Sequence, residues 1–398
     1  MDHSHPDISG VDEATLTMRR YWTMPRVYEF DTEIKEIDEN RIRLKENFFY
    51  PEGGGQPADH GTISHGDMKG QIFDVQDQDD TVWIYSKEHG FEEGELVHAE
   101  IDKYRRETLT RNHSAQHLLS AVFWDSFEYE TSRALIELHE TEIELDHNPS
   151  LEDINEALTQ SQELIQAEIP VTSQFHTSAS LNDVKLRGGI VKGQSVYRLV
   201  QIGTIDLNPC GGTHVEHTGM IDTIAVEKIS GKRLKFTTGI DARNLMIDRL
   251  MLTHQLSRDL AIAEEDILSE INRLSISNKQ LQKDTMDLEN QYLQLQLNHL
   301  DRTDLDEVTL ISGTVRKLER GVIVDHFSDL SPSEIAVITT TDGGFVIISG
   351  DESQLDRLMP YLRDEGIKGG GRGTTVMGKN TNPDKELIQL VKSYFQRS

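Results

Sequence analysis

From Arg26 to about Ile101, short runs that alternate apolar and polar residues (RVYEFDTEI, RIRLKENFFY, GQIFDV, TVWIYS) are broken by clusters of Gly, Asp and Asn. A period of two with such breaks predicts an antiparallel sheet or small barrel, here within an N-terminal domain of residues 1–101. The first 20 or so residues are polar and expected to fray, with His3 and His5 idle. A helix beginning near Thr108 or Thr110 turns His113, His117, Leu118, Ala121 and Val122 inward, and beyond Asp125 the period changes. Leu135, Ile136, Leu138, Ile143 and Leu145 alternate with polar residues, which predicts two half-buried strands joined at His139 to Thr141. Residues 151–168 read as an amphipathic helix with Ile154, Leu158, Leu164 and Ile165 facing the core. Strands follow over Ile169–Phe175 and Tyr197–Ile205, the second inside a stretch (residues 185–215) that returns the chain to Cys210. Residues 102–243 form one α+β domain on this reading.

Beyond Arg243 helix formers dominate. Ile267, Ile271, Leu274, Asn278, Leu281, Thr285, Leu288, Tyr292 and Leu295 step by four and three, about four heptads of coiled coil within a helical segment 244–304. Asn278 in an a position favours two strands. AIAEED reads as a turn between helices, so a hairpin within the chain and a homodimer through residues 267–295 both fit. From Val308, the strand-like VTLISGTV, EIAVITT and GFVIISG alternate with helical segments, which predicts a C-terminal α/β domain over 305–398 ending in the glycine loop IKGGGRGTTVMGK. The fold class is α+β overall.

With 398 residues the chain has room for two or three domains. No apolar run approaches the roughly 20 residues of a membrane span, and the start MDHSHPDISG lacks signal-peptide character, so a cytoplasmic address is expected. A single cysteine excludes an intrachain disulfide. The formal charge of -29 opposes nucleic-acid binding, because phosphate contacts need Lys and Arg. Basic residues nevertheless gather locally. Lys103, Arg105, Arg106 and Arg111 lead into the first histidine pair; Lys228, Lys232, Arg233 and Lys235 follow Cys210; Lys368, Arg372 and Lys379 flank the C-terminal glycines. They are either islands that orient an RNA within an acidic shell or ordinary solvated charges.

The chemistry concentrates in RNHSAQHLLS and NPCGGTHVEHTG. On a helix, His113 and His117 lie one turn apart on one face and can share a cation. Cys210 and His214 repeat the same step in a glycine-rich loop that can fold tightly. Nitrogen and thiolate donors favour zinc, one ion per chain. A zincin protease needs glutamate directly after the first histidine, and Ser114 stands there. Asp206 is placed either to orient a ligating imidazole or simply to turn the chain; His217 is a spare imidazole. In GGGQPADHG, Gly54 and Gly55 let backbone amides approach a ligand and Gln56 offers a donor and an acceptor, while a plain hairpin loop fits equally well.

Four stretches in order, FFYPEGGGQPADHG, RNHSAQHLL, NPCGGTHVEHTGMI and KISGKRLKFTTGIDAR, resemble the motifs of the alanyl-tRNA synthetase editing domain and its free-standing AlaX relatives. The long arrangement is similar to the largest AlaX class. The resemblance implies a zinc-dependent, trans-acting aminoacyl-tRNA deacylase that removes serine, and glycine too, from tRNA(Ala). It places the Gly54–Gly55–Gln56 loop against the editing site. It also places a threonine hydroxyl, Thr131 with Ser132 as the reserve, where it bonds the serine side chain. The C-terminal loop resembles the glycine motif of a DHH-associated domain, with Arg372 where phosphodiesterases of that group carry histidine. Two other readings stay open: a non-catalytic tRNA-binding protein with a structural zinc, and a phosphoesterase centred on the C-terminal domain.

Overall fold

A computed structural model describes residues 11–87, 90–176, 186, 196–380 and 386–396. His3, His5 and most of the stretch 185–195 therefore lie outside the described residues. The chain forms two compact units, Met1–Leu256 and Ser257–Ser398.

The first unit opens with α1 (Glu13–Met18), capped by the Asp12 side chain, and a 3-10 turn at Arg20–Trp22. Residues 11–24 are thus packed and not frayed. Leu16 and Tyr21 are buried, and buried Arg19 pairs with Asp77 at 2.6 Å. Too few apolar residues stand in this segment for a period to show.

A closed six-stranded barrel follows, as its alternation predicts. Its strands are β1 (Glu29–Asp38), β2 (Arg41–Leu44), β3 (Gly61–His65), β4 (Met68–Gln78), β5 (Thr81–Lys87) and β6 (Leu96–Ile101), in the order β1-β2-β5-β4-β3-β6. Alternate positions such as Val97, Ala99 and Ile101 fill the interior with Ile34, Ile42, Ile63, Ile72 and Ile84. Closure leaves no unpaired edge.

Helix α2 (Lys103–Phe127) carries the first histidine pair. The Asp102 side chain caps it, and left-handed Glu128 ends it. It starts a turn and a half before the expected threonines, because its first turns are polar or charged and carry no apolar period. From Thr108 to Phe123 nearly every side chain is buried, so α2 is a central rod. Around it lie β7 (Thr131–Leu135), β8 (Thr141–Leu145), α3 (Leu151–Gln166), β9 (Val171–His176), β10 (Tyr197–Ile202), β11 (Asp206–Pro209), β12 (Ile224–Ser230) and β13 (Arg233–Thr238). They form the sheets β11-β10-β9 and β12-β13-β8-β7. Leu118, Leu119, Val122 and Phe123 share one core with Ile143, Leu145, Ile154, Ile165, Leu234 and Phe236. Helix α4 (Gly239–Leu260) comes next.

In the second unit α5 (Ile267–Asn298) is one unbroken helix. Leu293 and Leu297 pack into the domain, whereas Ile271, Leu274, Leu281, Leu288, Tyr292 and Leu295 on the heptad face are exposed. The elements after it are β14 (Asp301–Asp304), β15 (Thr309–Val315), α6 (Arg320–His326), β16 (Glu334–Thr340), β17 (Gly344–Ser349), α7 (Glu352–Asp364), β18 (Lys368–Arg372), β19 (Thr375–Lys379) and α8 (Leu387–Phe395). The strands make a six-stranded sheet in the order β14-β15-β16-β17-β19-β18, with only β15 and β16 parallel. The expected glycine loop is instead the β18–β19 hairpin, turning at Gly373. Gly371 and Gly378 lie where a Cβ would collide with the facing backbone, so close strand approach accounts for them. Among the described residues no helix is long and apolar enough to cross a membrane.

Candidate metal centre

Helix α2 and the loop after β11 bring His113, His117, Cys210 and His214 together, with one ligand atom from each within 4.8 Å of the others. The Cys210 Sγ lies 3.3 Å from His113 Nε2 and 3.2 Å from His214 Nε2. Tetrahedral zinc with ordinary bond lengths separates sulfur from nitrogen by about 3.5 Å, so the donor set fits zinc in spacing as well as chemistry. The three histidines are buried and Cys210 is half-buried among the described residues.

The outer nitrogens decide which way the lone pairs point. His113 Nδ1 meets Gln56 Oε1 at 2.7 Å, His117 Nδ1 meets Asp206 Oδ2 at 3.0 Å, and His214 Nδ1 meets Ser114 Oγ at 3.2 Å. Ser114 donates its only proton to Thr110 O, so its oxygen accepts from Val215 N and His214 Nδ1. Gln56 is buried and its Oε1 also accepts from Thr213 N at 3.1 Å, while its Nε2 donates to Thr213 Oγ1 at 2.9 Å. Each ring therefore carries a proton on Nδ1 and turns Nε2 inward as its ligand atom. Asp206 orients His117; Gln56, expected to bind substrate, orients His113.

Burial pushes the His117 ring down, but its bonds to Asp206 and Cys210 outweigh that and carry it up to about 9. Burial raises the Cys210 thiol, yet His113 and His214 hold it well below the usual thiol range. For His214, burial first and the neighbouring rings after it push the value down to about 3, against the pull of Cys210.

The glycine loop before Gln56 is a tight turn. Gly53 and Gln56 exchange backbone hydrogen bonds around Gly54 and Gly55, whose φ values of 57° and 81° call for glycine. Gly55 O accepts from Ile136 N at 3.1 Å, which ties the turn to the end of β7. Gly212 answers a different demand, since a Cβ there would lie 2.1 Å from His113 Cε1.

The sequence reading missed several participants. Trp22 Nε1 donates to Gly211 O at 3.0 Å, and Arg198 Nη1 donates to Cys210 O at 3.1 Å and Gly212 O at 2.6 Å. Buried Arg198 also reaches Ser173 Oγ at 3.0 Å. A lone Trp and a lone Arg far along the chain give no local signal of such contacts.

Other expectations change. Arg106 is fully buried and paired with Asp59, and it donates to Pro25 O and Phe48 O, so it cannot reach RNA. Lys232 is turned onto Asp146 O; Arg233 pairs with Glu144 at 3.0 Å, and Lys235 pairs with Glu140 at 3.0 Å and Glu227 at 3.2 Å. That island is a charge-laced sheet face. Arg111 lines a cavity of about 240 Å³ with His214, Arg26 and Thr110. Lys368 and Arg372 are exposed on β18 in the second unit. Thr131 faces α2 and donates to Ser120 Oγ at 2.8 Å, whereas Ser132 is exposed and bonds Glu144 O, away from α2. His217 stands outside the metal cluster, its Nδ1 buried and without a partner among the described residues.

Two family models match: tRNA synthetases class II (A) over residues 11–105, and the threonyl and alanyl tRNA synthetase second additional domain over residues 197–237. The chain is 24% identical over 395 residues to alanine–tRNA ligase of Methanocorpusculum labreanum, covering 95% of this chain and 43% of that protein. It is 31% identical over 243 residues to the alanyl-tRNA editing protein AlaX-L of Pyrococcus horikoshii, covering 58% of this chain and 60% of that protein. The C-Ala domain of Aquifex aeolicus alanyl-tRNA synthetase aligns at 19% identity with 24% of this chain and 99% of its own length, at a TM-score of 0.20. Over these stretches the chain is similar to alanyl-tRNA synthetases and to AlaX-L, and it spans less than half the length of the alanine–tRNA ligases it matches.

Proposed function

We propose that this chain hydrolyses the ester of tRNA(Ala) mischarged with serine, and with glycine, at a zinc ion held by His113, His117, Cys210 and His214. The observation that carries the reading is the convergence of four donor atoms whose three imidazoles are already oriented by Gln56, Asp206 and Ser114. Bound zinc supplies Lewis acidity beside the ester. The cavity lined by His214, Thr110 and Arg111 is the proposed side of approach for substrate. Thr131 keeps acceptor capacity on its hydroxyl, which suits it to bond the serine hydroxyl. The methyl of alanine would cover that hydroxyl and strand it unpaired, whereas serine pairs with it and glycine leaves room for water to do so, the kind of difference that size alone does not provide. Arg111, Lys368 and Arg372 are the cations proposed to meet the tRNA backbone, and a second copy is the proposed partner for the exposed heptad face of α5.

The test is to incubate the purified chain with Ser-, Gly- and Ala-tRNA(Ala), with and without a chelator. Release of serine and glycine but not alanine, abolished by the chelator, is expected. Tight tRNA binding with no release supports the reading in which zinc only holds the fold.

A further inference from the structure

Three successive carbonyls in the metal loop, those of Cys210, Gly211 and Gly212, are each captured by a side chain: Arg198, Trp22 and Arg198 again. Arg198 is buried, so the Cys210 carbonyl points into the protein. The described chain has no cis peptide bonds, and in a trans peptide the N–H points opposite to the C=O. The Gly211 N–H is thereby turned away from Arg198, at a residue that is exposed. It donates to nothing among the described residues, whereas its neighbours do: Cys210 N bonds Arg198 O, Gly212 N faces Cys210 Sγ at 3.4 Å, and Thr213 N bonds Gln56.

Gly211 also lacks a structural reason to be glycine. It does not adopt a left-handed conformation, and a Cβ built on it meets no atom within 4 Å. Gly212, one residue on, is glycine because the His113 ring fills the space. Among the described residues no atom fills the space beside Gly211, which adjoins the half-buried ligand and holds a donor without a described partner.

We infer that the Gly211 N–H receives the carbonyl oxygen of the ester during hydrolysis, and that the space beside it is occupied by the acyl group. This rests on the deacylase reading above and assigns to it a donor in the chain itself. As water's oxygen bonds to the acyl carbon, the carbonyl pair moves onto oxygen, where a donor fixed in place is worth most. That pair then returns, the bond to the ribose oxygen breaks, and the ribose oxygen takes up the proton that water released. The clamp by Arg198 and Trp22 keeps the donor from reorienting while charge develops.

Two variants of the zinc-loaded full chain test this. In the first, glycolic acid replaces Gly211, so that an ester stands for the Cys210–Gly211 amide: the N–H is lost and the Cys210 carbonyl, a weaker acceptor, still faces Arg198. Its kcat on Ser-tRNA(Ala) should fall about 10²–10³-fold. Its zinc content, and its affinity for a terminal adenosine carrying serine through an amide, should match the parent. In the second, Gly211→Leu fills the empty space. It should fold and load zinc like the parent yet lose affinity for that analogue. An ester variant working at the parental rate, or a Leu variant binding the analogue as the parent does, overturns the inference. A parent that releases no serine refutes the deacylase reading instead, so the two failures are distinct.

Discussion

Replacing Gln56 separates two roles for the glycine turn. Gln56 is 1% exposed, and its Oε1 accepts from His113 Nδ1 at 2.7 Å and Thr213 N at 3.1 Å. Gln56→Ala leaves both buried donors without their acceptor, and each costs about 1–3 kcal/mol where water does not enter to replace it. The His113 ring also loses what fixes its tautomer. Loss of such an outer partner lowers metal affinity about 10–100-fold, or about 1.4–2.7 kcal/mol. Gln56→Glu keeps an acceptor for both donors and should retain most of the affinity. Competition between the ion-free protein and a chelating dye of known zinc affinity measures this directly. If Gln56→Ala binds zinc within about twofold of the parent while only substrate affinity falls, Gln56 is a substrate ligand and the orienting argument is wrong.

Further outcomes follow from the same geometry. Zinc must displace the proton that His117 holds up to about 9, whereas the Cys210 thiol is held well below its usual range and His214 is pushed down to about 3. His117 therefore contributes about one released proton near neutral pH, and its share of the affinity rises about tenfold per pH unit until it levels off above its pKa. Calorimetry in buffers of different ionisation enthalpy reads this, and a pH-independent affinity would contradict it. Arg106→Met strands buried Asp59 and should destabilise the first unit by about 3–5 kcal/mol in urea unfolding; unchanged stability with weaker tRNA binding would restore Arg106 as an RNA contact. Thr131→Val should lower kcat/KM for Ser-tRNA(Ala) about 10–200-fold and leave Gly-tRNA(Ala) nearly unaffected. Equal losses on both substrates would remove Thr131 from the specificity argument.

What the sequence made legible was local. The four-residue steps of His113–His117 and Cys210–His214 are visible without knowing the fold, and so is the alternation that builds the barrel, because burial on one face imposes a period of two. The contacts that finish the centre are remote. Trp22 meets Gly211 across 189 positions and Gln56 meets Thr213 across 157, and neither residue has a neighbour that announces its partner. Arg106 stands among basic residues in the sequence, but Asp59, 47 positions earlier, takes it into the interior. The glycines of β18 looked like a loop and are a strand, while Gly54 and Gly55, open to a ligand cradle or a plain hairpin in the sequence, form the turn that presents Gln56.

The most direct test of the central claim is a titration of zinc into ion-free protein, following serine release from Ser-tRNA(Ala). Release should be absent at the start, rise in proportion to added zinc and stop rising at about one equivalent per chain, with Cys210→Ala inactive throughout. Serine released at an undiminished rate by zinc-free protein, or by folded Cys210→Ala, would contradict the account.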